Sequence, residues 1–320
     1  MTIYNYKKIN NEISKLRVDL LYSKKKKNYY FFSIIDLFLK KINQLAKFPL
    51  FLFFEICIGY KYLKKTFFLK NTNKKINALI VGNGPSLNFL KKKDLIIFKK
   101  KNHLLAVNYW NEQSNLCSVI PDYLCFSDPS LFDKKFRSKD FKKRDKNLLR
   151  YLKKNTSIIL LVPPRLIKNL KESGIKNKLC SFVDTQLNYW VNFTCPLLPR
   201  GYVTSSFLKL LSFGLWVGYK KIFILGFDNT YPKDLFSNSS NKILEYNHHT
   251  NSKNDYVQDQ TAIFTDFADI LCDLTELFID IRKFKKYKNI INLDPFSINT
   301  NFQKKSILNK PLFKISSKQI

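Results

Sequence analysis

Six short stretches between residues 76 and 300 are apolar with little or no interruption: INALIVG, HLLAVN, DYLCFSD, TSIILLVPP, KIFILGFD and NIINLD. A strand packed on one side alternates apolar with polar residues, so unbroken runs predict strands covered on both faces and therefore a mainly parallel sheet. Between the runs, SSFLKLLSFGLWVGYK and QTAIFTDFADILCDLTELFIDIRKF repeat their apolar residues at helical spacing. The pattern predicts an α/β fold over residues 76–300, a Rossmann-like, doubly wound sheet with helices on both faces.

Residues 1–75 follow another pattern, in which Phe, Tyr, Ile and Leu are interleaved with lysine clusters. This predicts a basic, aromatic, helical extension. Its longest apolar run, Phe48 to Tyr60, contains Glu55 and falls short of the roughly 20 residues that span a bilayer. The extension is expected to lie on an anionic membrane surface or to pack on the main domain, and not to cross. The first residues lack the apolar core of a signal peptide, so the expected location is cytoplasmic, peripheral on the inner face of the membrane. Residues 301–320 read as a basic tail, and no internal repeat is present.

In doubly wound sheets, ligands bind beyond the carboxyl ends of the strands. Polar residues stand at those positions here. After the first run come Gly82, Asn83, Gly84, Pro85 and Ser86, a turn whose glycines permit close backbone approach and whose following amides can hold a phosphate. Asn108 follows the second run and Asp128 the third. Thr204, Ser205 and Ser206 open the helix that begins SSFLKLL, where hydroxyls either cap the helix or bind an anion. Asp228 follows the fifth run, in GFDNTY.

Charge and cysteine content narrow the classes. The formal charge is +32, yet only seven of the 56 basic residues are Arg, and Lys, Asn, Ile and Phe are abundant together, as in a protein from an AT-rich genome. Base readout and bidentate phosphate clamping favour Arg, so no specific nucleic-acid partner is expected. The six cysteines, at 57, 117, 125, 180, 195 and 272, form no CxxC pair and read as reduced thiols.

The series IVGNGPSL, Asn108, DPSLF, TSS, GYKKIFILGFDNTY and NLDPFS resembles the bacterial lipooligosaccharide sialyltransferases of glycosyltransferase family forty-two. It equally resembles a related group that includes the MptE-like 6-hydroxymethylpterin diphosphokinases. The likeness covers residues 76–300. The sialyltransferase resemblance implies that Gly82 to Ser86 and Asn108 hold the nucleotide of a CMP-linked nine-carbon sugar, with Asp128 where that family has Asn. It implies that Ser205 and Ser206, next to Thr204, meet the donor's sugar or phosphate, and that Asp228 belongs to the same donor site. Tyr231 falls one place later than the family's Tyr, and the resulting GxDxxY form is closer to the broader group.

Those sialyltransferases also carry a catalytic base histidine in the interval that here contains His248 and His249. A histidine with a near-neutral pKa can remove the proton of an acceptor hydroxyl as it attacks the anomeric carbon. The chain has no HxH, HxxxH or Asp-x-Asp spacing, so transfer without a metal or other cofactor is expected. The expected function is sugar transfer from a nucleotide-sugar donor to a glycan or glycolipid acceptor. Diphosphate transfer from ATP to a hydroxymethyl compound is the alternative, and a non-catalytic basic membrane-surface or nucleic-acid binding protein is a third class.

Overall fold

A computed structural model describes residues 26–113, 115–128, 131–132, 139–187, 190–202, 205–227, 279–294, 301–308, 312 and 314. Its centre is one sheet of eight parallel strands in the order β5-β4-β3-β2-β1-β6-β7-β8. The strands are β1 (Ala78–Val81), β2 (His103–Val107), β3 (Tyr123–Cys125), β4 (Ile159–Val162), β5 (Leu179–Ser181), β6 (Ile222–Leu225), β7 (Ile290–Asn292) and β8 (Gln303–Lys304). The doubly wound expectation holds. Each of the six apolar runs supplies a strand, and alternate residues of each run enter opposite cores.

Leu79, Val81, Leu104, Ala106, Leu160 and Val162 pack on one face with Phe98 of α2 (Lys92–Lys99), Leu148 of α3 (Lys139–Lys154) and Leu170 of α4 (Pro164–Glu172). Ala78, Ile80, Leu105, Val107, Ile222 and Ile224 face the other way, against Leu208, Leu211 and Phe213 of α5 (Ser206–Val217). Both faces being apolar is the physical reason the runs are unbroken.

Two strands lie outside the apolar runs. β5 pairs Leu160↔Leu179 and Val162↔Ser181 and is only three residues long. β8 pairs Asn292↔Lys304 within the segment read as a tail, and Phe302, Ile307 and Leu312 are buried there. The sheet therefore continues past residue 300.

The N-terminal extension is a single helix, α1, from Lys26 to Phe68, about 65 Å long at 1.5 Å per residue. One stripe of it docks on the edge of the sheet. Gly59 lets the ring of Pro164 sit where a Cβ would come within 2.6 Å of Cγ. Tyr62 and Leu63 are buried beside it. The Thr66 hydroxyl donates to the Ser181 carbonyl (2.6 Å) and accepts from the Ser181 amide (3.2 Å), and the Trp216 indole donates to the Thr66 carbonyl (2.9 Å). The helix is longer than the Phe48–Tyr60 run alone indicates. Lys41–Phe68 runs 28 residues and contains an 18-residue stretch of mean hydropathy 1.3, 6% of it buried, so by length and composition alone it is long and apolar enough to cross a membrane. Glu55 interrupts the run in sequence, and its carboxylate lies against the domain at Asp184 and Thr185.

Candidate functional site

The chain builds outward from β1 to β5, then returns to place β6 on the other side of β1. The carboxyl ends of β1 and β6 therefore form the topological switch point, the customary ligand crevice of such sheets. The Gly82–Ser86 turn lies there, and its backbone is engaged by the turn after β6. The Gly82 amide donates to the Leu225 carbonyl (2.8 Å) and the Gly84 amide to the Gly226 carbonyl (2.9 Å). The buried Ser86 hydroxyl accepts from the Gly226 amide (2.9 Å). A Cβ on Gly82 would stand 2.1 Å from the Gly226 oxygen, and Gly226 adopts a φ of +72°. Close approach of one turn to the other, not of a ligand, is what these two glycines allow.

Pro85 begins a 3-10 helix of five residues, Pro85–Phe89. Asn83 faces differently. It is buried with its side-chain oxygen lacking a hydrogen-bond partner, and the Asn292 side-chain nitrogen, at the end of β7, also lacks one. Buried polar atoms without partners are uncommon and mark where a ligand would complete the bonding.

Asn108 turns the chain out of β2 at a φ of +52°, a left-handed conformation that Asn tolerates better than most residues. Its amide donates to the Cys125 carbonyl (2.8 Å). Ser205 caps α5, its hydroxyl accepting from the Leu208 amide at 3.5 Å. The Ser206 hydroxyl sits 2.8 Å from that of buried Ser127, so the start of α5 meets the end of β3 beside exposed Asp128. Thr204, Asp228, Tyr231, His248 and His249 lie outside the described residues. The described histidine, His103, is at the amino end of β2, 2.8 Å from the Tyr219 hydroxyl, on the opposite edge of the sheet. Among the described residues no three metal-ligating side chains converge.

The densest chemistry was not indicated by the sequence. Asp184, just after β5, is buried with Arg165, Arg200 and Lys209 all on its carboxylate. Arg200 donates through Nε to the Asp184 carbonyl (2.8 Å) and carboxylate (3.0 Å), and through Nη1 to the Tyr202 carbonyl (2.7 Å). Arg165, from the first turn of α4, also donates to the Ser127 carbonyl (2.6 Å). Burial alone would raise the Asp184 pKa, but Lys209, Arg200 and Arg165 outweigh it and hold the carboxyl well below its usual range. Burial pushes the Lys209 ammonium down to about 8 against the pull of Asp184, with Arg200 and Arg165 adding to the depression.

Glu55 of α1 completes the arrangement. Its carboxylate accepts from the amides of Asp184 (3.0 Å) and Thr185 (2.9 Å) and from the Thr185 hydroxyl (2.7 Å). Burial lifts its pKa, and the Thr185 bonds oppose the rise.

Three cations against Asp184 and Glu55 leave one positive charge in excess. Of the three, Arg165 is the one that reaches solvent, its side chain 37% exposed where those of Arg200 and Lys209 are 5% and 0%. The arrangement presents a guanidinium, two serine hydroxyls and a helix amino end at the carboxyl ends of β3 and β4. That combination attracts an anion. The signal available in the sequence was two of only seven arginines standing in PPRL and LPRGY, in a chain where lysine otherwise supplies the charge.

No family model matches the chain, and no curated protein matches it. Among solved structures, the MAf glycosyltransferase from Magnetospirillum magneticum AMB-1 is similar at 12% identity and a TM-score of 0.42. The likeness covers 80% of this chain and 40% of that one, so the chain spans less than half the length of that protein.

Proposed function

We propose that the protein is a cytoplasmic glycosyltransferase that takes its sugar from a nucleotide donor. In the finer form of the reading it is sialyltransferase-like and moves a CMP-linked nonulosonic acid to a surface glycan or glycolipid. The observation that supports it best is Arg165, held between Asp184 and the Ser127 carbonyl next to the Ser127–Ser206 hydroxyl pair. A donor phosphate or carboxylate needs such a group at the carboxyl edge of a parallel sheet. Asn83, with its unsatisfied buried oxygen in the β1/β6 crevice, would accept from the nucleotide or its ribose. Asp228 would belong to the same donor site, and His249 or His248 would take the acceptor's proton.

Calorimetric titration with CMP and ATP, followed by mass spectrometry of nucleotide sugars incubated with the protein, tests the reading. CMP binding with slow hydrolysis of a CMP-sugar supports it. Tighter binding of ATP, with diphosphate transfer to a hydroxymethyl compound, would replace it with the diphosphokinase reading. Binding of neither nucleotide would overturn both in favour of a non-catalytic role. For the histidines, His249→Ala should lower turnover roughly 100- to 10,000-fold and remove the acidic limb of the rate profile, with nucleotide affinity kept. Near-normal turnover in both His249→Ala and His248→Ala removes the proposed base.

A further inference from the structure

The docked stripe of α1 leaves the rest of the helix surface bare. Phe38, Ile42, Phe53, Ile56, Tyr60 and Phe67 are spaced by 4, 11, 3, 4 and 7 residues, all close to whole turns, and are between 44% and 63% exposed. They line up over about 44 Å at 1.5 Å per residue, and Leu39, Leu50, Phe54, Ile58 and Phe68 are exposed on the sides beside them. Glu55, Gly59, Tyr62 and Thr66, which touch the domain, lie about a quarter turn round the helix from this stripe, with Leu63 at the border between the two. An apolar surface of this length is not left to water in a soluble chain without a partner.

We propose that this exposed apolar surface is a docking face for an anionic lipid bilayer, with α1 lying in the headgroup plane while its docked side carries the sheet domain. Charge selects the occupant. Lys41, Lys47, Lys61, Lys64 and Lys65 lie along the same helix, on a chain of formal charge +32. A second copy would bring the same charge and be repelled, whereas an anionic leaflet gains roughly fivefold in affinity for each lysine near it. The polar anchors decide the orientation. Glu55 is bonded to the amides of Asp184 and Thr185, and Thr66 to Ser181, so the domain runs alongside this half of the helix and keeps it out of the hydrocarbon. The helix has the length to cross; its docking makes it lie flat. The inference stands apart from the proposed reaction.

Sedimentation of the full chain with vesicles of phosphatidylcholine, with and without phosphatidylglycerol, tests it. Binding should require phosphatidylglycerol and weaken as salt shortens the screening length from about 10 Å at 0.1 M to about 3 Å at 1 M. The triple variant Phe53→Ser, Ile56→Ser, Tyr60→Ser should bind at least tenfold more weakly, with an unchanged melting curve because the three side chains are exposed. Unchanged vesicle binding by that variant would overturn the proposal. So would a lipid-free dimer, seen by light scattering, that the same substitutions convert to a monomer, since the stripe would then belong to a second copy. In the unmodified chain, hydrogen exchange of peptides covering residues 38–54 should slow when anionic vesicles are added. No slowing would overturn the proposal without reliance on any variant.

Discussion

Two regions on the same edge of the sheet solve opposite problems. At the switch point between β1 and β6, backbone meets backbone. The Gly82 amide donates to the Leu225 carbonyl and the Gly84 amide to the Gly226 carbonyl, and the Ser86 hydroxyl closes the contact by accepting from the Gly226 amide. Charge is absent from this contact, and the atoms that look available for a phosphate in the sequence are engaged by the chain itself. Two to four strands from β1, at the ends of β3 to β5, side chains dominate, with one carboxylate beneath three cations and an arginine reaching the surface. A glycine-rich turn after a strand is therefore not by itself a phosphate cradle. An imbalance of buried charge is a stronger pointer, because the protein incurs a desolvation cost to keep it.

The contrast can be broken from either side. The largest stability effect is expected at Asp184. Asp184→Asn leaves Arg165, Arg200 and Lys209 without their shared carboxylate and should cost roughly 3–5 kcal/mol in chemical denaturation. The native carboxyl lies below its unfolded value, so its stabilisation is complete above an unfolded pKa of about 3.9 and is lost as pH falls through and below that value. The variant should lose this acid dependence.

Gly82→Ala comes next. A Cβ 2.1 Å from the Gly226 oxygen forces the two turns apart, and denaturation should show a loss of about 3 kcal/mol, at the upper end of overpacking effects. Were the glycine there for a ligand alone, the apo protein would keep its stability. Arg165→Ala should weaken nucleotide binding about tenfold, the loss of one charge-assisted contact, with little change in melting. Equal affinity in titration would remove the β3–β5 region from the donor site.

The smallest effect sharpens the comparison. Lys209 loses its proton near pH 8, so the excess positive charge declines above that pH. Affinity for an anionic nucleotide should fall by a few-fold between pH 7 and 9, and Lys209→Met should abolish the dependence. A pH dependence retained in Lys209→Met would place its origin elsewhere.

Much of the sheet was legible because burial on both faces writes an unbroken apolar run into the sequence, as in ALIV of β1 and IFIL of β6. β5 and β8 were not, since Ser181 interrupts the first and the second is an exposed polar pair, Gln303–Lys304. The placement of Asn108, Ser205 and Ser206 at strand ends and a helix start follows from the same alternation of elements. The role of Asp184 does not. Its partners come from residues 165, 200 and 209, and only the return of α5 across the sheet brings them together. Likewise the length of α1 can be read from composition, but the side it turns to the domain depends on Gly59 meeting Pro164.

The contact of Gly82 with Gly226 also bears on heredity. Glycine codons begin with two G bases, and every single-base change that alters the residue yields Ala, Val, Ser, Cys, Asp, Glu, Arg, Trp or a stop. Each of those residues carries the Cβ that at position 82 would meet the Gly226 oxygen at 2.1 Å and at position 226 would meet Gly82 at 3.0 Å with φ at +72°. No first step leads away from either position, and a paired change only adds a second Cβ to the same space. In a chain rich in Lys, Asn, Ile and Phe, these two codons are among the most constrained. Random mutagenesis scored for folded protein should therefore return substitutions freely among the surface lysines and rarely at 82 or 226.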